Sequence, residues 1–284
     1  MSVSAPPARL LLRPGAPVLR RDATTLQVGL HPPLAVRLPD LPEVRALLDG
    51  LREGAVPDGL TPAAEEALDR LLAAGLAFPG VPEPGDAQLA ATRAQFGADA
   101  VRRLAHRRTH AIGLRADAWS QPVVRDLVAT AGLVVDDAAP SVWLVVAAGP
   151  VARESIDPLL RTGTPHLVVS GDAGGRRVGP FVEPGRTACL RCVDAHEAEA
   201  DPRRPFLVEQ AAITGGATPP PLDPLLDRLA LSWAVRDLCR YLEGDEPSTW
   251  STTVDIGPGD VPRVQRRLRH PHCGCSWDLL SDLP

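Results

Sequence analysis

The sequence predicts an α/β protein in two parts, a small winged-helix-like module followed by a larger doubly wound sheet. Three observations carry this. Short apolar strands and then helical stretches fill residues 9–78, while Pro79-Gly-Val-Pro-Glu-Pro-Gly85 is too dense in proline and glycine to continue either regular structure. Beyond that stretch, short apolar strands alternate with helices, the pattern of a parallel sheet covered on both faces. The parts are expected at residues 1–80 and 86–284.

In the first part, strands are expected at 10–12, 18–20 and 26–30, ahead of two helical stretches. The second stretch has the clearer signals. Thr61 can cap it, Pro62 suits the first helical position, and Glu65 falls one residue late for a capping box. Leu68, Leu71 and Leu72 give it one apolar face, Gly75 stops it, and 76–78 follows as a wing. Glu65, Glu66 and Asp69 stand there against a single Arg70, a charge that repels phosphate. A peptide ligand suits the module better than DNA, entering as an extended strand beside 26–30 and resting on the helix. Leu26, Val28, Leu68, Leu71 and Leu72 are the candidate groove residues, with plain core packing as the alternative for each.

The second part reads as a helix at 88–107, a strand at 111–114, a helix at 121–131 and strands at 133–135 and 142–147. A helix at 155–161 and strands at 166–170, 176–182 and 252–256 complete the expected sheet. Residues 213–222 are the most loop-like stretch of this half and are expected to form a crossover. A helix over 228–242 carries Cys239 among apolar residues at helical spacing, where a buried core thiol is expected and no His, Asn or Asp arrangement marks a nucleophile.

The other four cysteines form two tight pairs, Cys189-Leu190-Arg191-Cys192 and Cys273-Gly274-Cys275. Two short chelate loops that converge make a tetrahedral four-thiolate site with no position open to water or substrate, so the ion expected here is a structural zinc. Bare thiols and a redox C-x-x-C pair are the competing readings. A redox pair usually sits where a strand opens a helix in a thioredoxin-like fold; here a Pro184-Gly185 turn precedes the pair and a second knuckle is available. Arg186, Arg191, Arg269 and His272 lie close in sequence and could offset the negative charge of the site, or be solvated surface residues.

The 284 residues, 44% of them hydrophobic, suffice for a core, and the net charge of −5 argues against a dedicated nucleic-acid surface. Every positive side chain is Arg, so Walker, Schiff-base and isopeptide lysines are excluded. The opening residues lack a charged segment followed by an apolar one, and no apolar run reaches the ~18 residues of a membrane span. A cytoplasmic protein is expected, with paired cysteines serving a metal rather than a disulfide.

The stretch Arg176-Arg-Val-Gly-Pro-Phe-Val-Glu-Pro-Gly-Arg-Thr-Ala-Cys-Leu-Arg-Cys192, together with Arg269-His-Pro-His-Cys-Gly-Cys275, resembles the ThiF/MoeB-like superfamily related to ubiquitin-activating enzymes. The nearer likeness is to the branch associated with thiazole/oxazole-modified peptide biosynthesis, the cyclodehydratase-associated, leader-peptide-binding proteins. The resemblance implies a winged-helix peptide-recognition domain ahead of a Rossmann-like domain with the four cysteines on zinc. It further implies that the leader of a precursor peptide, a bacteriocin-type product in biosynthesis, pairs in the winged-helix groove. The zinc-bearing domain would then dock a YcaO-type enzyme, and the chain would pair as a homodimer.

Active members of that superfamily adenylate a carboxylate, using a glycine-rich loop after the first strand and an Asp after a later strand for Mg²⁺. Here Ala111-Ile-Gly-Leu-Arg-Ala-Asp117 offers only Gly113, and Val142-Trp-Leu-Val-Val-Ala-Ala-Gly149 ends in Ala147 and Ala148. Asp117 and Asp136 are the remaining carboxylates, with surface or turn roles expected for both. The Rossmann-like domain is therefore expected to be degenerate, without ATP. The leading reading is a non-catalytic scaffold that presents a peptide or protein tail to a partner enzyme. A ThiF-type adenylyltransferase and a zinc-stabilised regulatory protein are the alternatives.

Overall fold

A computed structural model describes residues 9–172, 174–214, 221–259 and 261–276. The chain divides into two compact units, Met1–Ala105 and His106–Pro284. The proline- and glycine-rich stretch 79–85 falls inside the first of them.

The first unit contains β1 (Leu10–Leu12), β2 (Val18–Arg20), β3 (Thr25–Val28), β4 (Val36–Pro39), α1 (Pro42–Glu53), α2 (Pro62–Ala73) and β5 (Ala77–Pro79). Then follow α3 (Ala87–Phe96), a 3-10 turn at Gly97–Asp99, and the first residues of α4 (Ala100–Thr109). The single helix expected over 88–107 is thus two. Gly97 takes a φ of 59°, and a Cβ there would come within 2.8 Å of the Arg13 guanidinium, which donates to the carbonyls of Gly75 and Ala94. Thr61 caps α2 by accepting from the Ala64 N–H, with Pro62 as its first residue.

β1 pairs with β5 antiparallel, and β2-β3-β4 form a separate antiparallel sheet whose last strand was not anticipated. Leu26, Leu38, Leu47, Leu51 and Leu71 pack together beneath it. The Asp40 N–H donates to Thr24 O, which makes 24 and 40 a hydrogen-bonded pair. By alternation Leu26–Leu38 and Val28–Val36 are also hydrogen-bonded pairs, so the backbone groups of Arg37 turn away from β3. Pro39 shares that orientation, and its missing N–H costs the sheet nothing.

The second unit contains β6 (Ala111–Ala116), α5 (Gln121–Thr130), β7 (Val134–Val135), β8 (Val142–Val146), α6 (Arg153–Arg161), β9 (His166–Asp172) and β10 (Gly175–Val182). It continues with α7 (Leu190–Ala198), α8 (Arg204–Thr214), α9 (Pro224–Leu242), β11 (Thr252–Ile256) and β12 (Arg263–Arg266). Of the expected loop at 213–222, residues 215–220 lie outside the described residues, and α8 runs to Thr214.

The sheet order is β12-β11-β10-β9-β8-β6-β7. Only β7, β6, β8 and β9 are mutually parallel, and β10, β11 and β12 join antiparallel, so the sheet expected to be parallel is mixed. The reason is local. β9 ends at Asp172 and β10 starts at Gly175, a connection long enough for a hairpin and far too short for a crossover. Helix α9 buries Ala230, Leu231, Ala234, Val235 and Leu238 in the main core with Leu144, Leu167 and Phe181. Among the described residues no helix is long and apolar enough to cross a membrane.

Candidate functional site

The four paired cysteines come together. Thr187 donates to the Glu183 carbonyl and accepts from the Glu183 N–H, closing the Pro184-Gly185 turn, and the Ala188 N–H donates to Ser251 Oγ at 3.0 Å. This delivers Cys189 to the N-cap of α7 and Cys192 to its first turn. Cys273 and Cys275 flank Gly274 at a 3-10 turn, Gly274–Ser276, with the Cys273 N–H donating to His270 O at 2.9 Å.

The sulfur of Cys189 lies 3.8 Å from Cys192, 3.6 Å from Cys273 and 3.5 Å from Cys275, and Cys192 lies 3.3 Å from Cys275. A tetrahedral ion with metal–sulfur bonds of about 2.3 Å has edges of about 3.8 Å, so the separations fit one ion. Cys189, Cys192 and Cys273 are buried and Cys275 partly so. Hydrogen bonds from the Cys189 and Cys273 thiols, with a smaller one from the His270 N–H, hold Cys192 down to about 6. Cys189 is pushed far above the ordinary thiol value by its bonds to the other three sulfurs. One thiolate surrounded by thiols is what such a cluster becomes without a cation, and a divalent ion stabilises the remaining sulfurs as thiolates. These four residues could hold a metal ion.

Of the nearby charges, Arg191 pairs with Asp157 at 2.7 Å and Arg186 with Glu183 at 3.1 Å, while Arg269 donates to the Cys275 carbonyl. Arg269 therefore braces the second knuckle. Cys239 lies apart on α9 in the main core, and burial raises its thiol to about 11.

The peptide-groove candidates divide. Leu26, Val28 and Leu71 are fully buried core residues, Leu68 is partly buried, and Leu72 is 38% exposed. Because β3 is paired on both sides, no further strand can lie beside it; the sheet is open only at β2 and β4.

The crevice at the carboxyl ends of β6 and β8 is where the strand order turns back and where open α/β sheets bind ligands. Here it holds a buried arginine. Arg176, on β10, donates from Nε to Asp227 Oδ1 at 2.8 Å, from Nη2 to Ser120 Oγ at 2.8 Å, and from Nη1 to the Ala147 carbonyl. Asp117 accepts from the Trp119 and Ser120 N–H groups at 2.9 Å and from the Ser120 hydroxyl at 3.1 Å, and Asp136 accepts from the Ala138 N–H. Both carboxylates serve turns. Gly113 also has a packing role, because a Cβ there would come within 2.5 Å of the Trp143 ring. Beside this network, at the ends of β8 and β9, lies a cavity of about 310 Å³ lined by Pro150, Arg153, Ser170, Gly171, Arg177 and Glu197.

Sequence reasoning missed Arg176, Ser120 and Asp227. The available signal was an arginine inside a strand whose neighbours are buried; such a charge needs an internal partner.

No family model matches this sequence, and no curated protein matches it. Solved structures do match by shape. A heterocyclase in complex with substrate and cofactor superposes with a TM-score of 0.71 at 14% identity, over 94% of this chain and 39% of that one. The heterocyclase TruD gives 0.70 at 16% identity, over 95% of this chain and 43% of that one. This is a fold shared with heterocyclases. MccB from E. coli, solved with ATP, gives 0.64 at 12% identity, over 94% of this chain and 99% of that one. The chain thus spans about two fifths of the two heterocyclases and nearly all of MccB.

Proposed function

We propose that the chain is a non-catalytic, ThiF-like scaffold that binds a precursor leader peptide or protein tail and presents it to a partner enzyme such as a YcaO-type cyclodehydratase. The observation that carries this reading is Arg176. Its guanidinium, bonded to Ser120, Asp227 and the Ala147 carbonyl, fills the crevice where a nucleotide-binding relative keeps a glycine-rich loop and a Mg²⁺ carboxylate.

In this reading the first unit is the winged-helix-like recognition module, and the peptide adds as a strand to the open edge of β4. The Arg37 N–H and C=O face that edge, and α2 packs close to β4, bringing the partly exposed Leu68–Leu72 flank near the same sheet. The four cysteines bind a structural zinc that fixes the second knuckle to α7. Zinc supplies a closed, redox-inert crosslink there and no reaction step.

The test is calorimetric titration of the zinc-loaded full chain with ATP and Mg²⁺, followed by panning a displayed library of random peptides against it. No heat with ATP and recovery of extended peptides support the scaffold. A second reading, an ATP-dependent adenylyltransferase acting on a peptide carboxylate, is favoured by the shared fold of MccB solved with ATP. Micromolar ATP binding with pyrophosphate exchange would establish it in place of the first. Light scattering on the same sample reports whether the scaffold is a homodimer.

A further inference from the structure

We propose that His196, Glu199 and His270 form a second metal site, for a first-row divalent ion such as zinc, independent of the four cysteines. His196 lies in the last turn of α7, Glu199 caps that helix, and His270 belongs to the segment leading to Cys273. One donor atom from each falls within 4.8 Å of the others.

Tautomers decide which atoms face inward. His196 Nε2 lies 3.0 Å from the Leu268 carbonyl, which can only accept, so Nε2 carries the proton and Nδ1 presents a lone pair. That lone pair faces Glu199 Oε1 at 3.7 Å. Two acceptors at this separation form no hydrogen bond, while ligands bonded to one tetrahedral ion at about 2.0–2.2 Å lie roughly 3.4 Å apart. His270 Nε2 approaches the same carboxylate oxygen at 3.1 Å, and the two imidazoles meet edge to face with centroids 4.8 Å apart.

His270 Nδ1 accepts from the His272 N–H at 3.2 Å, so in the neutral ring the proton sits on Nε2. Metal capture at Nε2 needs the other tautomer: the single ring proton leaves Nε2 for water, water returns one to Nδ1 with no net release, and the His272 N–H, next to an exposed side chain, turns to solvent. The Leu268 carbonyl plays the orienting part that metal-bound histidines require on the opposite nitrogen. Two imidazoles and one carboxylate suit zinc and its neighbours rather than Mg²⁺ or Ca²⁺. Glu199 is largely exposed, so a fourth position is left to water.

Cobalt titration of the metal-free full chain separates the two sites by colour. The first equivalent is expected to bring thiolate-to-cobalt charge-transfer bands, and the second only weak d–d absorption with no added thiolate band. His196→Ala and Glu199→Gln should each keep the first equivalent and lose the second. Saturation of the wild type at one thiolate-bound equivalent, or a second equivalent that survives both substitutions, overturns the proposal. Cobalt bound with d–d bands alone, lost in the same two variants, would keep this site and remove the four-cysteine centre.

Discussion

Arg176 Nη2 donates to the Ser120 hydroxyl at 2.8 Å, joining β10 to the loop after β6. Asp117 fixes that loop from within, and Asp227 on α9 neutralises the guanidinium, which is wholly buried. An ion pair so deep in the protein stabilises only while both partners are present, because either charge alone pays the desolvation cost without compensation.

Arg176→Met should therefore destabilise the second unit by about 3–5 kcal/mol, leaving Asp227 without its partner. Adding Asp227→Leu should recover much of the loss. Urea unfolding of the single and double variants measures both. A single variant within 1 kcal/mol of wild type, on the order of an exposed pair, would show the guanidinium to be solvated and the crevice open.

The cysteines predict a contrast between thiols. Cys192→Ser should release the ion and lower the melting temperature sharply, since coordination contributes about 10–16 kcal/mol in small zinc modules. Cys239→Ser should leave the metal content at wild-type level and cost only the burial of a hydroxyl, about 1–3 kcal/mol. Metal analysis beside thermal melts reads both. Equal metal in the two variants would mean that the sulfurs at 3.3–3.8 Å serve packing alone.

The cysteine cluster was legible because C-x-x-C and C-x-C carry their geometry in their spacing, and Gly274 leaves the second pair free to turn. The strands of the second unit other than β12, Arg263-Val-Gln-Arg266, were legible because their apolar runs are short and bounded by turns. Hidden from sequence were the direction of β10, fixed by a connection too short for a crossover, and α7 and α8. Helix α8 buries none of its side chains, so it shows no apolar stripe to read. Strand β4, Val36-Arg-Leu-Pro39, is short and ends in proline, yet it is an edge of its sheet, where proline is tolerated. Leu26 and Val28 had the right residue type for a groove, but both side chains lie in the core with Leu47, Leu51 and Leu71.

Strand addition at β4 can be tested by proline at two edges. Arg37→Pro removes the one N–H on β4 that alternation turns outward, and Arg20→Pro does the same on the open side of β2. Peptides selected on the wild type should bind Arg37→Pro at least about tenfold more weakly, an amount equal to about one lost hydrogen bond, and Arg20→Pro unchanged. Fluorescence anisotropy of a labelled selected peptide gives both affinities, with thermal melts to show that each variant is folded. Loss confined to Arg20→Pro would move the site to β2.

His166 gives the chain a titration that belongs to folding. It is fully buried at the start of β9, its Nδ1–H donates to the Thr164 carbonyl at 2.9 Å, and burial lowers its pKa below 6.5. The unfolded chain protonates near 6.5 while the folded chain does not, so the unfolded state binds more protons in the window between the two values. Stability is complete above 6.5 and falls as the pH drops toward the depressed folded value, below which it levels off. His166→Asn keeps a donor for Thr164 and removes the titration. The variant should be less stable at neutral pH by about 1–3 kcal/mol, from lost packing, yet show a shallower decline below pH 6.5 than the wild type. Urea unfolding of both proteins across this range measures the difference, and parallel declines would place the acid sensitivity on other groups.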